Sequence, residues 1–271
     1  MYAPAPVGAH AITLGYQFSH GAVLFDKTIP IEDATADIHG LSLASSRSIG
    51  VFGMAGRVDV ALPFVVGDWE GDVDRTSQTA SRTGFGDPVL RFAVFFVGAP
   101  ALRPEAFGTF RPKTIVGATL RMGVPLGQYD PARLLNLGSH RWTFSPQLGV
   151  SHLAGRVFFE GNVGVWLFTD NGAFMGTSTR SQDPLFTMQA HVGYRFSRGL
   201  WIAGSSRQSV GGAVRVDGGE SLAMEANNRI GLTLGLPIGG RYALRLAATT
   251  GVTATVGNDY STVAVLWQII L

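Results

Sequence analysis

The chain has 271 residues, of which 46% are hydrophobic and only 15% charged, against the roughly 25% charge of soluble domains, and it carries 36 glycines and no cysteine. A formal net charge of +2 is close to balance and argues against nucleic-acid binding. No uninterrupted apolar run reaches the roughly 18 residues of a spanning helix, since the best candidate, residues 89–102, is broken by Arg91 and Pro100, so helical membrane insertion is excluded.

Residues 1–9 (MYAPAPVGA) contain Pro4 and Pro6 and pair poorly in a sheet. They are too short and too proline-rich for an export signal, which is expected to have been removed. The segment is expected either to lie inside the barrel mouth as a plug or to be a frayed end, the commoner outcome, apart from a single barrel over 10–271. The first strand sets Ile12, Leu14, Tyr16 and Phe18 against Thr13, Gly15, Gln17 and Ser19. A loop at 26–33 leads to a second strand over 35–47, whose alternation blurs at His39 and Gly40, where a bulge is expected. The third strand places Val58, Val60, Leu62 and Phe64 opposite Asp59, Ala61 and Pro63. The polar run 67–83 reads as a surface loop. In the fourth strand Pro88, Leu90, Phe92, Val94 and Phe96 oppose Asp87, Val89, Arg91, Ala93 and Phe95, and the connection 98–112 has room for one helical turn.

Residues 113–151 hold two strongly alternating runs joined by a long polar connection. Val116, Ala118, Leu120, Met122 and Val124 alternate with Gly117, Thr119, Arg121 and Gly123, and Trp142, Phe144, Pro146, Leu148 and Val150 with Thr143, Ser145, Gln147 and Gly149. The seventh strand opposes Val157, Phe159, Val163, Val165 and Leu167 to Phe158, Glu160, Asn162, Gly164 and Trp166. The eighth opposes Phe186, Met188, Ala190, Val192, Tyr194 and Phe196 to Thr187, Gln189, His191, Gly193 and Arg195. After a turn at 197–199 come a strand over 200–208, a glycine-rich loop at 211–220, and three more strands. Their inward residues include Arg229, Arg245 and Gln268, and the last keeps an apolar residue at every second position up to Leu271.

Alternation alone fits a soluble sandwich as well as a membrane barrel. Repetition along the whole chain, short turns alternating with long polar loops, and an even count of about twelve strands point to an all-β transmembrane antiparallel up-and-down barrel in the bacterial outer membrane. The phase of the charges agrees. Asp59, Asp87, Arg91, Arg121, Glu160, Arg195, Arg229 and Arg245 all lie opposite the apolar series, where each misplaced charge at mid-depth would cost about 2–4 kcal/mol.

Five segments, GFGDP (84–88), RPKTIVGATLRMGVPLGQYDPARLLNLGSHRWTFSPQLGVSH (111–152), FTDN (168–171), STRSQDPL (178–185) and RGLW (198–201), resemble the MetA-pathway of phenol degradation family of outer-membrane transporters. The resemblance covers nearly the whole chain. It implies a barrel of about twelve strands partly occluded by its N-terminal segment, and uptake of aromatic or other hydrophobic compounds.

For the interior, the residues leave two uses open. Asp59, Asp87, Arg91, Arg121 and Glu160 form either a polar constriction that steers a solute or a salt-bridge network that fills a narrow barrel. His191 reads as a hydrogen-bonded lumen residue, without a second ligand at metal spacing. Ser151 and His152 are adjacent, so a strand points them to opposite faces and they cannot form a nucleophile–base pair; no enzyme is expected. Pro63 and Pro88 each remove a ladder donor from neighbouring strands, a seam that could part and release an apolar solute sideways, or a bulge that merely shapes the wall. The expected function is a passive channel for small hydrophobic, including aromatic, molecules, working as a monomer without cofactor or nucleotide. Its partners would be the solute, outer-membrane lipid or detergent and the barrel assembly machinery, and solute would pass Arg91, Phe95, Arg121, Phe158 and Trp166. A general diffusion porin for polar solutes is the alternative.

Overall fold

Side-chain alternation of this kind becomes a closed wall. The computed structural model describes residues 4–25, 29–197, 199–220 and 224–271, without the side chain of Asn258. Residues 1–3 of the expected plug, 26–28 of the expected loop and Arg198 of the expected turn lie outside the described residues. The strands are β1 (His10–Leu24), β2 (Ile31–Val51), β3 (Met54–Val73), β4 (Thr76–Phe85), β5 (Val89–Pro100), β6 (Thr114–Gly123), β7 (Thr143–Ala154), β8 (Val157–Phe168), β9 (Asn171–Phe174), β10 (Ser178–Gln182), β11 (Leu185–Ser197), β12 (Leu200–Gly211), β13 (Val214–Val216), β14 (Glu225–Pro237), β15 (Tyr242–Thr253) and β16 (Gly257–Ile270). One helical turn, α1 (Pro104–Phe107), sits in the connection where the sequence left room for it.

Twelve of these strands close the barrel, with β4, β9, β10 and β13 outside the ring. Each pairs antiparallel with the next, and β16 returns to β1 from Ala11↔Ile270 to Leu24↔Gly257. Closure leaves no unpaired edge in hydrocarbon, where each orphaned backbone group would cost several kcal/mol. The termini share one end with the short turns at 155–156 and 238–241, and the long loops occupy the other; by the rule for such barrels the first end is periplasmic.

Register fixes the faces. Leu14 lies opposite both Leu43 and Trp267, and Leu43 opposite Leu62, so these point outward together. Phe186 and Val263 are 63% and 56% exposed, an arrangement that water would penalise by about 1.5–3 kcal/mol per side chain and lipid rewards. Inward glycines leave room for inward rings. A Cβ on Gly193 would clash with Phe158, its cross-strand partner, and one on Gly235 with Trp201.

Three features depart from the sequence reading. Residues 67–83 are not a loop: the β3–β4 ladder runs unbroken from Phe64↔Phe85 to Val73↔Thr76 and reverses at Asp74 and Arg75, both at positive φ (49° and 63°). Above the bilayer both faces of this hairpin meet water, so polarity there carries no loop signal. Second, β2 has no bulge at His39–Gly40; its register shift lies between Glu32 and Thr35. His39 keeps its outward phase, bonded through Nδ1 to the Tyr16 hydroxyl (2.8 Å), and Gly40 makes room for Gln17. Third, Pro88 lies between strands. β4, outside the ring, and β5, within it, pair in turn with the upper and lower parts of β3.

Candidate transport path

At mid-depth the inward side chains are polar. Asp59 on β3 faces Arg91 on β5, which faces Arg121 on β6. The Asp59 carboxylate accepts from Arg91 Nε (2.7 Å), Arg57 Nε (3.2 Å) and the Ser46 hydroxyl. It is only 14% exposed, and of the five residues that the sequence offered for a constriction or a salt-bridge network only Asp59 and Arg91 are joined by an ion pair, with Arg57 as the third member. Arg121 lies over the Trp166 ring, 5.3 Å from its centroid. Glu160 faces His191 across β8 and β11 and accepts from the Ser151 hydroxyl at 3.3 Å. Arg207, which the sequence reading did not single out, faces Gln189 and Arg229. Arg229 donates to the Tyr260 carbonyl (2.6 Å) and lies over its ring, and Arg245 stands opposite Gly235 and Leu266.

Two aromatic residues placed on the expected path are shut off from it. Phe95 is 2% exposed, packed among Ala55, Ala93, Ala99 and Ile115 near the periplasmic end. Phe158 is 1% exposed, against Trp201 and beneath Arg195, whose Cζ lies 5.4 Å from the ring. Both stiffen the wall instead of lining an open surface. Beside them the N-terminal segment is tied down: Val7 N donates to Leu102 O (2.8 Å), Gly8 N to Ser48 O (3.0 Å), and the inward Ser48 hydroxyl to Ala5 O (2.9 Å).

The wall is interrupted at Pro63 and 86–88. Two residues of β3, Leu62 and Pro63, span three between β4 and β5, and Gly86 N donates to Pro63 O across the gap at 3.1 Å. The connection after β6 covers the break. Val124 N donates to Pro88 O (2.9 Å) and Gln128 N to Phe85 O (2.9 Å). Asp87 therefore does not join the mid-depth cluster with Asp59 and Arg91. Its Oδ1 accepts from Gly127 N (2.9 Å), and its Oδ2 from the backbone and hydroxyl of Ser139. The three backbones stack so closely that a Cβ on Gly127 would meet Gly86 and one on Gly138 would meet Gly127. Sequence reasoning missed Gly127, Gly138 and Ser139, although the signal was present: two of the quoted segments, 84–88 and 111–152, touch here.

Above the break, β3, β4 and the tip of this connection border a half-open cavity of about 380 Å³ of mixed lining, with Phe25, Trp69 and Leu134 beside Gln78, Arg82 and Arg133. Arg82 Nε donates to Leu135 O (3.0 Å) and holds the tip down. β9, β10 and β13 form a small sheet in the loops at this end. There Arg215 grips Asp183 with both nitrogens (2.6 and 2.9 Å), which holds that carboxyl below its ordinary value; donation from Thr179 N and Ser178 does the same to Asp217. As the strand phase requires, Ser151 points inward to Glu160 while the outward His152 bonds Thr114, so the two form no catalytic pair.

The same architecture is found in the COG4313 outer membrane channel from Pseudomonas putida F1, with a TM-score of 0.80 at 19% identity over 100% of this chain and 98% of that one. More distant are the β domain of the Bordetella autotransporter BrkA (TM-score 0.51, 10% identity, 96% and 98% covered) and the transport unit of the autotransporter AIDA-I from Escherichia coli (0.51, 6%, 97% and 89%). No curated protein matches the sequence. The family described as MetA-pathway of phenol degradation matches residues 26–267, and the chain, an outer-membrane β-barrel, belongs to that family.

Proposed function

We propose that the protein is a passive channel by which small hydrophobic molecules, aromatic ones included, cross the outer membrane. Solute enters through the cavity beside Trp69 and leaves sideways at the break in the wall or onward to the periplasm. The observation that carries this reading is the break itself: between Ala61↔Val89 and Phe64↔Phe85, β3 is joined to the β4–β5 junction by the Gly86 N to Pro63 O bond, and the Asp87 carboxylate pins a loop over the gap. Pro63 and Pro88 keep it so, because neither can donate. Replacing both with Val should cut uptake of an apolar probe such as phenol by cells expressing the protein, whereas uptake equal to that of the native chain would remove sideways release.

A general diffusion porin is the competing reading, and the polar mid-depth lumen favours it. The N-terminal segment, bonded at the periplasmic end to Ser48 and Leu102, opposes it. Planar-bilayer recording separates the two: a very small conductance is expected, and a large steady current would establish the porin.

A further inference from the structure

The lumen holds more positive charge than its acidic groups can balance. Within the barrel strands seven arginines point inward, at 57, 91, 121, 195, 207, 229 and 245, against the carboxylates of Asp59, Glu160 and Glu225. Asp59 is committed to Arg57 and Arg91. Among the described residues, Arg121, Arg207 and Arg245 have no salt bridge, and Arg91 lies within electrostatic range of Arg57, Arg121 and Arg245. Repulsion among such neighbours is tolerated only if something else neutralises it. A structural network would have supplied its own acids.

The surroundings indicate what the neutralising group looks like. Low-dielectric walls focus the field of the cluster into the lumen and raise the local concentration of anions. A guanidinium presents a flat fork that matches a carboxylate with two parallel hydrogen bonds. Two of these forks already lie over flat rings, Arg121 over Trp166 and Arg229 over Tyr260, so stacking surface and anion site are side by side.

We infer that the mid-depth arginines form an anion-selective filter, and that the solutes it favours are small amphiphilic carboxylates, with an apolar or aromatic body and one carboxylate head. This rests on the channel reading above and narrows its solute class. The head would pass between Arg91, Arg121, Arg245 and Arg207 while the body stacks on Trp166.

The test uses the full-length protein in planar bilayers and liposomes. Under a potassium chloride gradient the reversal potential should take the sign of chloride preference. Benzoate flux should exceed that of benzyltrimethylammonium, an aromatic of opposite charge, by about tenfold. The triple variant Arg121→Gln, Arg207→Gln, Arg245→Gln should bring that ratio close to one, and the corresponding Lys variant should restore it. Equal fluxes or cation preference in the native protein would overturn the inference, as would a native ratio surviving in the Gln variant. Because the readout compares two ions in the same barrel, it is separate from uptake of a neutral apolar probe; failure of that uptake alone removes neutral apolar solutes from the channel reading, whereas equal ion fluxes remove the filter. If the Gln variant does not fold, the native flux ratio and the Lys variant still decide the matter.

Discussion

Two aspartates that look alike in sequence do different work. Asp59 sits at mid-depth between two guanidiniums, so removing its charge strands both in a poorly solvated wall. Asp59→Asn should destabilise the barrel by about 3 kcal/mol, read as a lower midpoint in urea unfolding from bilayers. Asp87 instead accepts three donors from a loop. Asp87→Ala should cost about 1–3 kcal/mol and, more tellingly, open the connection at 124–142 to limited proteolysis while the rest of the barrel resists it. At the surface, Asp183 and Asp217 titrate below the ordinary carboxylate value of 3.8. Because their folded values are depressed, the stability they contribute is present above that value and fades as pH falls through the lower folded ones. Hydrogen-exchange protection of the Thr179 and Asp217 amides, which link β10 and β13, should therefore hold near neutral pH and decline on acidification, with the mid-depth strands unaffected.

At the scale of the element, the β4–β5 junction shows how far sequence can be read. The facing of β1, β3, β5, β8 and β11 was legible residue by residue, because lipid on one side and a wet lumen on the other leave each side chain one tolerable face. The β3–β4 hairpin was not. Above the bilayer Asp68 and Glu70 point outward into water while Trp69 points inward, and parity no longer maps onto polarity. The break was legible as two prolines. Its closure was not, since Asp87 meets Gly127 and Ser139 across 40 and 52 residues of chain, a contact that no local periodicity can announce. Arg207 escaped notice because the outer face of β12 carries Ser206 and Gln208, which blurs the alternation that flagged its neighbours.

For the whole molecule, the wall and the contents of the lumen were unequally legible. Composition and rhythm sufficed for the barrel, since only a closed sheet satisfies the backbone in hydrocarbon. How the interior is filled depends on which inward side chains reach one another, and Phe95 and Phe158 turned out to pack into the wall. The N-terminal segment offers a global test. Deleting residues 4–9 removes the bonds to Ser48 and Leu102, and single-channel conductance should rise severalfold; an unchanged value would mean that the segment obstructs nothing.

The paired positive-φ residues Asp74 and Arg75 close a ladder that stands clear of the membrane. Since the chain contains no cysteine, a thiol introduced beside this tip at the exposed Ser77 gives a unique chemical handle on the outside of the living cell. A membrane-impermeant maleimide should label it on intact bacteria and leave a thiol at Arg156, in a turn at the opposite end, untouched until the envelope is opened.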